Sequence, residues 1–381
     1  MALILTDEQQ MLAEAADGLL GEEGVGALRR LRDDRDPDGL SRDLWRTFGE
    51  MGLAGVMIDE AHGGSGLGAV EAGVIAEALG KHLTPSPFLG SSVLGAGLIV
   101  DLGSAEQKDR WLPGVAEGEA ILALALEEGG RHAPHRIAAR AERDGNGFRL
   151  NGSKAFVLDG HVADALIVAA RTSGKVGDRE GVSLFLVDPG TAGVAIERTA
   201  MVDAHNAARI MLDDVRVDAD ALLGELDGAG PALDRVLDLG RGCAAASLVG
   251  AGAQAFDLTL DYLRTRTQFG RAIGEFQALQ HRAAHLFTEL EIARAAVLGA
   301  LQTLDRPGVA PAQAARAVAV AKAKAGQVAE LAVQEAVQMH GGVGMTDEFD
   351  VGLYMKRVRV LNETLGDVGH HQEALATADG W

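Results

Sequence analysis

Two short stretches of the 381-residue chain carry residue types that could hold an anion. The first, Arg266-Thr267-Gln268-Phe269-Gly270, leads on to Ile273 and Phe276-Gln277. A guanidinium can grip a doubly charged pyrophosphate bidentately, and Arg266 stands in a glycine-bounded turn suited to that role. The second is Gln338-Met339-His340-Gly341-Gly342-Val343-Gly344. Without Cβ atoms, Gly341, Gly342 and Gly344 let backbone N–H groups approach a ligand closely. Taken singly, the first stretch is a solvated arginine beside a core phenylalanine and the second a helix-ending turn. Their separation and their place in the chain favour a site.

The elements that must position them come in an uncommon order. Residues 1 to 118 read as helices broken by Gly-rich turns. Thr6-Asp7-Glu8-Gln9 resembles a capping box, and Leu44, Trp45 and Phe48 mark a later helix. From 119 to 225 the period shortens. Gly147 to Gly152 has the look of a hairpin with Asn151-Gly152 as its turn, and Ala165–Ala170 and Val182–Val187 read as strands. From Pro231 onward the pattern is helical again. Helices are expected from Pro231 to about Arg264, Gln277 to Leu304, Pro311 to His340 and Leu353 to Ala378. The small residues Gly240, Gly242, Gly250 and Gly252 on the first of these either leave room for a ligand or let helices pack closely.

Composition bounds the function. A net charge of −20 excludes nucleic acid and anionic membrane surfaces as partners, while leaving room for a phosphate held by local arginines and helix N-termini. A single cysteine, Cys243, allows no internal disulfide. The N-terminus lacks the pattern of a signal peptide, and no apolar run approaches the ~20 residues that span a bilayer. A soluble, cytoplasmic protein is expected. No His/Cys/Asp cluster has metal-ligand spacing, so no metal is expected.

The chain resembles the acyl-CoA dehydrogenase family over essentially its whole length. Arg266-x-x-Phe269-Gly270…Gln277 and Gln338-x-x-Gly341-Gly342-x-Gly344 are similar to two of that family's motifs, in the family's order. Leu212-Asp213-Asp214-Val215-Arg216-Val217 resembles the exit from its β domain. The resemblance implies an α+β fold with an N-terminal helical domain (1–118), a middle β-barrel domain (119–225) and a C-terminal four-helix bundle (226–381). It implies FAD as cofactor, an acyl-CoA thioester as substrate, and a tetramer with FAD at a protomer interface. Arg266, Gln268, Phe269, Gln277, Gln338, Gly341 and Gly342 would then face the adenosine and pyrophosphate half of a neighbour's FAD.

Elsewhere the chain departs from the family. Where the family offers Thr-Glu-Pro-Gly-x-Gly-Ser to flavin and substrate, this chain has Leu126-Glu127-Glu128-Gly129-Gly130-Arg131-His132. Where the family has Trp-Ile-Thr-Asn, it has Phe156-Val157-Leu158-Asp159. Phe156 could stack on an isoalloxazine, but Leu158 offers no hydrogen bond. The family abstracts the α proton of the thioester with a glutamate. The matching positions here are Leu365 and, for members that carry it on the long helix, Gly240, followed by Arg241, a candidate substrate contact. Glu363 and Asp238 lie two residues away, which on a helix is the wrong face. His340, His370 and His371 read as surface or helix-end histidines. Arg131, His132, His135 and Arg136 form a small basic cluster, solvated or facing a CoA phosphate.

The expectation is therefore a base-lacking subunit that completes the FAD site of a catalytic partner in a hetero-oligomer. Such assemblies are known from actinobacterial steroid side-chain degradation, and the Leu365-Gly366-Asp367…His370-His371 ending is similar to theirs. The alternatives are a self-sufficient homotetramer with Glu363 as base and a flavin-free structural subunit.

Overall fold

Helix starts follow the local chemistry of the chain in the computed structural model, which describes residues 3–381. Helix α1 (Asp7–Gly21) opens on a capping box in which Thr6 and Gln9 each bond the other's backbone N–H. Two compact units follow from the contacts. One combines Met1–Asp33, Ala69–Thr84 and Arg241–Trp381; the other combines Asp34–Gly68 and Pro85–Gly240.

The first unit is helical. It holds α1, α2 (Val25–Asp33) and α4 (Ala69–His82), with α3 (Arg42–Glu50) falling in the other unit. A later helix, α7 (Gly230–Thr265), begins in the second unit and continues into the first. Then come α8 (Gln277–Leu304), α9 (Pro311–His340), α10 (Val351–Glu363) and α11 (Val368–Ala378). Pro311 sits in the first turn of α9, where its missing N–H costs nothing. The carboxylate of Asp305 accepts from the N–H groups of Ala69 (2.6 Å) and Val70 (3.0 Å), and so caps α4 from a distant part of the chain.

Glycines set the spacing of α4 and α7. A Cβ on Gly250 would lie 2.0 Å from the Glu77 carbonyl oxygen, and one on Gly80 would lie 2.1 Å from that of Ser247. The two backbones therefore touch. Gly242 meets Leu301 and Gly252 meets Ala329, so the small residues of α7 serve helix packing. α7 is also the helix, among the described residues, whose length and apolar content suffice to cross a bilayer; 72% of its most apolar window is buried inside the fold.

The second unit is built on an eight-stranded sheet. Its strands are β1 (Leu122–Ala125), β2 (Arg140–Asp144), β3 (Gly147–Leu158), β4 (Ala165–Arg171), β5 (Val182–Val187), β6 (Val194–Ala200), β7 (Asn206–Val217) and β8 (Leu222–Leu223). Their order is β6-β7-β3-β2-β4-β5-β8, with β1 pairing parallel to β4. Phe148, Leu150, Val168, Phe185, Ile210 and Val215 are among its core. Helices α3, α5 (Ala96–Leu102) and α6 (Ala105–Ala116) belong to the same unit, together with a π-helical segment, Phe88–Gly95.

Two sequence expectations are corrected here. Asn151-Gly152 is no hairpin turn: β3 runs through it, and the pairing with β7 slips by a bulge between Leu150 and Gly152. The Asn151 carboxamide accepts from the Asp214 N–H (2.9 Å), which stabilises the slip. The helix expected from Leu353 to Ala378 is two helices. It breaks at Leu365 (φ 58°) and Gly366 (φ 106°), the latter a place for glycine, since a Cβ there would collide with His370 and His371.

The backbone contact between α4 and α7 is testable. Gly250→Ala is expected to destabilise the protein by about 1–3 kcal/mol, the usual cost of overpacking. Denaturant unfolding reads it, and an unchanged midpoint would show that the helices part freely.

Candidate functional site

In the helical unit, the first motif forms a two-stranded hairpin, β9 (Thr267–Gln268) with β10 (Arg271–Ala272). Its loop is Phe269-Gly270, with φ of 55° and 80°, as a two-residue hairpin turn of this hand requires. Asparagine or glycine is favoured at the first place; phenylalanine there is strained. Phe269 is nevertheless 91% exposed, touching the edge of Phe276, over whose ring Arg271 lies at 4.1 Å. Arg266 follows the last residue of α7 and closes the hairpin through its carbonyl, which accepts from Ile273 N–H (2.8 Å). Its guanidinium has no ion-pair partner among the described residues and is exposed, as are Gln268 and Gln277.

The second motif ends α9. Gln338, Gly341 and Gly342 are exposed, and a Cβ at either glycine would meet nothing within 4 Å. Gly341 has φ 64°, ψ −141°, a conformation reserved for glycine. Tyr262 near the end of α7 stacks on His340 at the end of α9 (4.4 Å), so both motifs come to one end of the helical unit. His340 is buried and bonds the Ala336 carbonyl through Nδ1 (2.8 Å); burial pulls its pKa down. It acts as a spacer between the motifs and is the helix-end histidine expected, though buried rather than on the surface. His371 is likewise buried.

The turn after α10 holds the positions where a base was sought. Glu363 is the last residue of α10, exposed and paired with Arg359 (2.9 Å) one turn back. Leu365 is half-buried, outside any helix, so the helical-face comparison between it and Glu363 does not apply. Its carbonyl accepts from Arg241 Nε (3.3 Å), which gives Arg241 a structural partner in this turn. Gly240 and Asp238 are buried on α7.

Sequence reasoning missed the residue beneath this turn. Lys322, on α9, is 1% exposed. Its ammonium donates to the carbonyls of Leu361 (3.0 Å), Asn362 (3.1 Å) and Gly366 (3.1 Å). Its position was readable: Val318, Lys322 and Gly326 share one buried face of α9.

In the sheet unit, the loop after β1 is closed by its own side chains. Glu127 accepts from the Ala133 N–H (3.1 Å) and meets His132 Nδ1 (2.5 Å), whose side chain is buried. Glu128 accepts from the Ala138 and Ala139 N–H groups (2.7 and 3.0 Å) and from buried Lys154 (2.6 Å), which also donates to the Leu126 carbonyl (3.2 Å). Burial pushes the Lys154 ammonium down, with the Glu128 charge opposing it. Leu126 itself is buried. Of the basic cluster, His132 is enclosed and His135 lies 3.4 Å from Asp234. Phe156 stands on a second bulge of β3 with φ 50° and is 55% exposed; Leu158 is half-buried, its Cβ 3.5 Å from where a Cβ on Gly90 would lie. Among the described residues no group of three or more His, Cys, Asp or Glu could hold a metal. The Cys243 thiol is buried and pushed up to about 12, which leaves it inert.

Known proteins match this arrangement along the chain. Residues 6–119 match the acyl-CoA dehydrogenase N-terminal domain, 123–215 the middle domain and 227–377 the C-terminal domain. Acyl-CoA dehydrogenase FadE12 of Mycobacterium tuberculosis is 33% identical over 326 residues, 84% of this chain and 82% of its own. A solved variant of the Tcur3481-Tcur3483 steroid ACAD is 32% identical, covers 98% of both chains and has a TM-score of 0.85. The ChsE4-ChsE5 complex from Mycobacterium tuberculosis is 28% identical over 99% of this chain and 98% of that one, with a TM-score of 0.86.

Lys322 makes stability depend on pH. Burial lowers its pKa to about 7, against about 10.4 in an unfolded chain. Between those values the unfolded chain binds a proton that the folded chain does not, so this residue's contribution improves as pH rises. The cost of burying the charge is full below about pH 7 and is relieved toward about pH 10. Relative to Lys322→Met, the wild type should gain up to about 1.4 kcal/mol per pH unit across that window. Urea unfolding at a series of pH values measures it; a flat difference would mean that the amine does not titrate there.

Proposed function

The chain belongs to the acyl-CoA dehydrogenase family, and from that premise we propose that it is a base-lacking subunit that completes the FAD site of a catalytic partner in an α2β2 heterotetramer. The family's reaction is oxidoreduction at a CH–CH bond, α,β-dehydrogenation of an acyl-CoA thioester. FAD, which solved structures of this fold hold, supplies the hydride acceptor.

The helical unit fits that cofactor. Arg266 offers an exposed guanidinium without an ion-pair partner among the described residues, and Gly341 and Gly342 leave backbone open for a close approach. These residues would grip the pyrophosphate and orient the adenosine half, with Gln268, Gln277 and Gln338 as further donors. In the sheet unit Phe156 projects far enough to stack on a ring, but Leu126 and Leu158 present no polar atom to a flavin edge. Each polar group left unmet there forfeits about 1–3 kcal/mol.

The observation that carries the reading is the turn after α10. Leu365 has no ionisable group, Gly240 has no side chain, and Glu363 is exposed and bound to Arg359. Proton abstraction is therefore assigned to a carboxylate of the partner. Phe269, 91% exposed at a strained hairpin tip, supports a partner surface there, as does the likeness to the ChsE4-ChsE5 complex. The acyl-CoA substrate is held by the assembly.

Purification alone and with a glutamate-bearing partner tests this. The chain alone is expected to be substoichiometric in FAD and inert toward acyl-CoA, and the mixture to bind FAD and bleach with substrate. In the assembly, Arg266→Ala should weaken FAD by about 10–100-fold through loss of charge-assisted hydrogen bonds. Glu363→Gln should leave turnover unchanged. A yellow chain that bleaches by itself, and stops doing so with Glu363→Gln, would replace this reading with that of a self-sufficient homotetramer.

A further inference from the structure

A lysine buried without a carboxylate is an expense that folding does not usually tolerate. Lys322 makes no ion pair among the described residues, and its three N–H donors are all taken by backbone carbonyls. Two of those carbonyls, of Leu361 and Asn362, belong to the last turn of α10, the negative end of its dipole. The third, of Gly366, lies beyond the turn. The ammonium therefore ties the two ends of the Glu363–Leu365 segment together, while Arg241 holds the Leu365 carbonyl (3.3 Å).

A helix end can be closed without a cation, by glycine alone. Here Leu365 adopts the left-handed conformation ahead of Gly366, and Gly366 is pressed against His370 and His371. A strained backbone held by a buried charge is an imposed geometry. Its effect is to send Glu363 outward to Arg359 and to keep Leu365 half-buried.

We propose that Lys322 is the positioning residue of this turn, fixing Leu365 rather than Glu363 in the place a catalytic base would take. The inference rests on the base-lacking reading for what that place is. The charged groups acting on Lys322 are Arg241 of α7, Glu363 at the end of α10 and Asp367 at the start of α11, with His370 and His371 of α11 packed on Gly366. Removing the proton from the ammonium leaves two donors for three carbonyls but relieves the burial of the charge, so opening the turn to water becomes harder as pH rises above about 7.

Amide hydrogen exchange on the assembled complex tests it, with the N–H groups of Thr364 and Gly366 as reporters; they bond the carbonyls of Val360 and Glu363. In Lys322→Met their protection should fall by about tenfold or more, while α8 and the first half of α9 stay within about twofold of wild type. In the wild type, protection corrected for intrinsic rates should step up by as much as about tenfold per pH unit as pH rises above about 7, and the variant should show no step. Unchanged protection in Lys322→Met, or a loss spread evenly through the helices, would overturn the proposal. The wild-type pH step decides the matter even where the variant fails to assemble, and its absence also overturns it. Neither readout depends on turnover, so a chain that oxidises acyl-CoA by itself would defeat the base-lacking reading without altering the exchange pattern.

Discussion

Backbone carbonyls bound to buried cations hold the segments around the candidate site in this protein. Lys154, Arg171 and Lys322 are each no more than 2% exposed. Arg171 spends its guanidinium on carbonyls of Ile137, Ser173, Asp178 and Glu180 at 2.9–3.3 Å. Lys154 ties Leu126 and Glu128 together, and Lys322 ties the end of α10 to Gly366. Irregular segments cannot satisfy their own carbonyls as helices and strands do. A buried cation with several donors closes that account at one point. The loops so held lie next to the positions at which the chain departs from its family.

The two units treat their polar groups differently. In the sheet unit the loop from Leu126 to Ala139 is satisfied from within, by Glu127, Glu128, His132 and Lys154. In the helical unit the Arg266 guanidinium has no ion-pair partner among the described residues, the glycines at 341 and 342 face open space, and Phe269 is exposed on a strained turn. Phe287 and Ile292 on α8 and Val320 on α9 are also exposed. Unmet groups persist where something outside the chain meets them. That contrast is physical, and it runs the same way as the sequence departures.

Much of this was legible in the sequence. The bounds of α8 and α9 could be read from Pro311, Phe276-Gln277 and Gly341, and the capping box at Thr6 from its spacing alone. What failed was the backbone at single residues. Asn151-Gly152 has the composition of a turn, but pairing on both sides of β3 turned it into a bulge. Leu365 is a good helix former, and its type does not announce the turn that ends the helix, where Gly366 is crowded by His370 and His371 and two cations bond the carbonyls of Leu365 and Gly366. Lys322 belongs to no motif that the sequence singles out. Its spacing with Val318 and Gly326 was the overlooked signal.

The break at Leu365 bears on the proposal that this chain carries no base of its own. On a continuous helix, a carboxylate at 363 would face away from position 365 by geometry alone, and no further device would be needed. In a turn that constraint is gone: two residues can exchange places through modest φ/ψ changes. Something else must then keep Glu363 out, and the ion pair to Arg359 is too exposed to do it, since surface pairs contribute at most about 1 kcal/mol. The carbonyl clamp is the stronger restraint, because releasing it would strand a buried ammonium without partners. The substitution of leucine for a base and the fixing of the turn are therefore two separate features. Under the base-lacking proposal, the first would remove the acid–base chemistry and the second would stop a nearby carboxylate from replacing it.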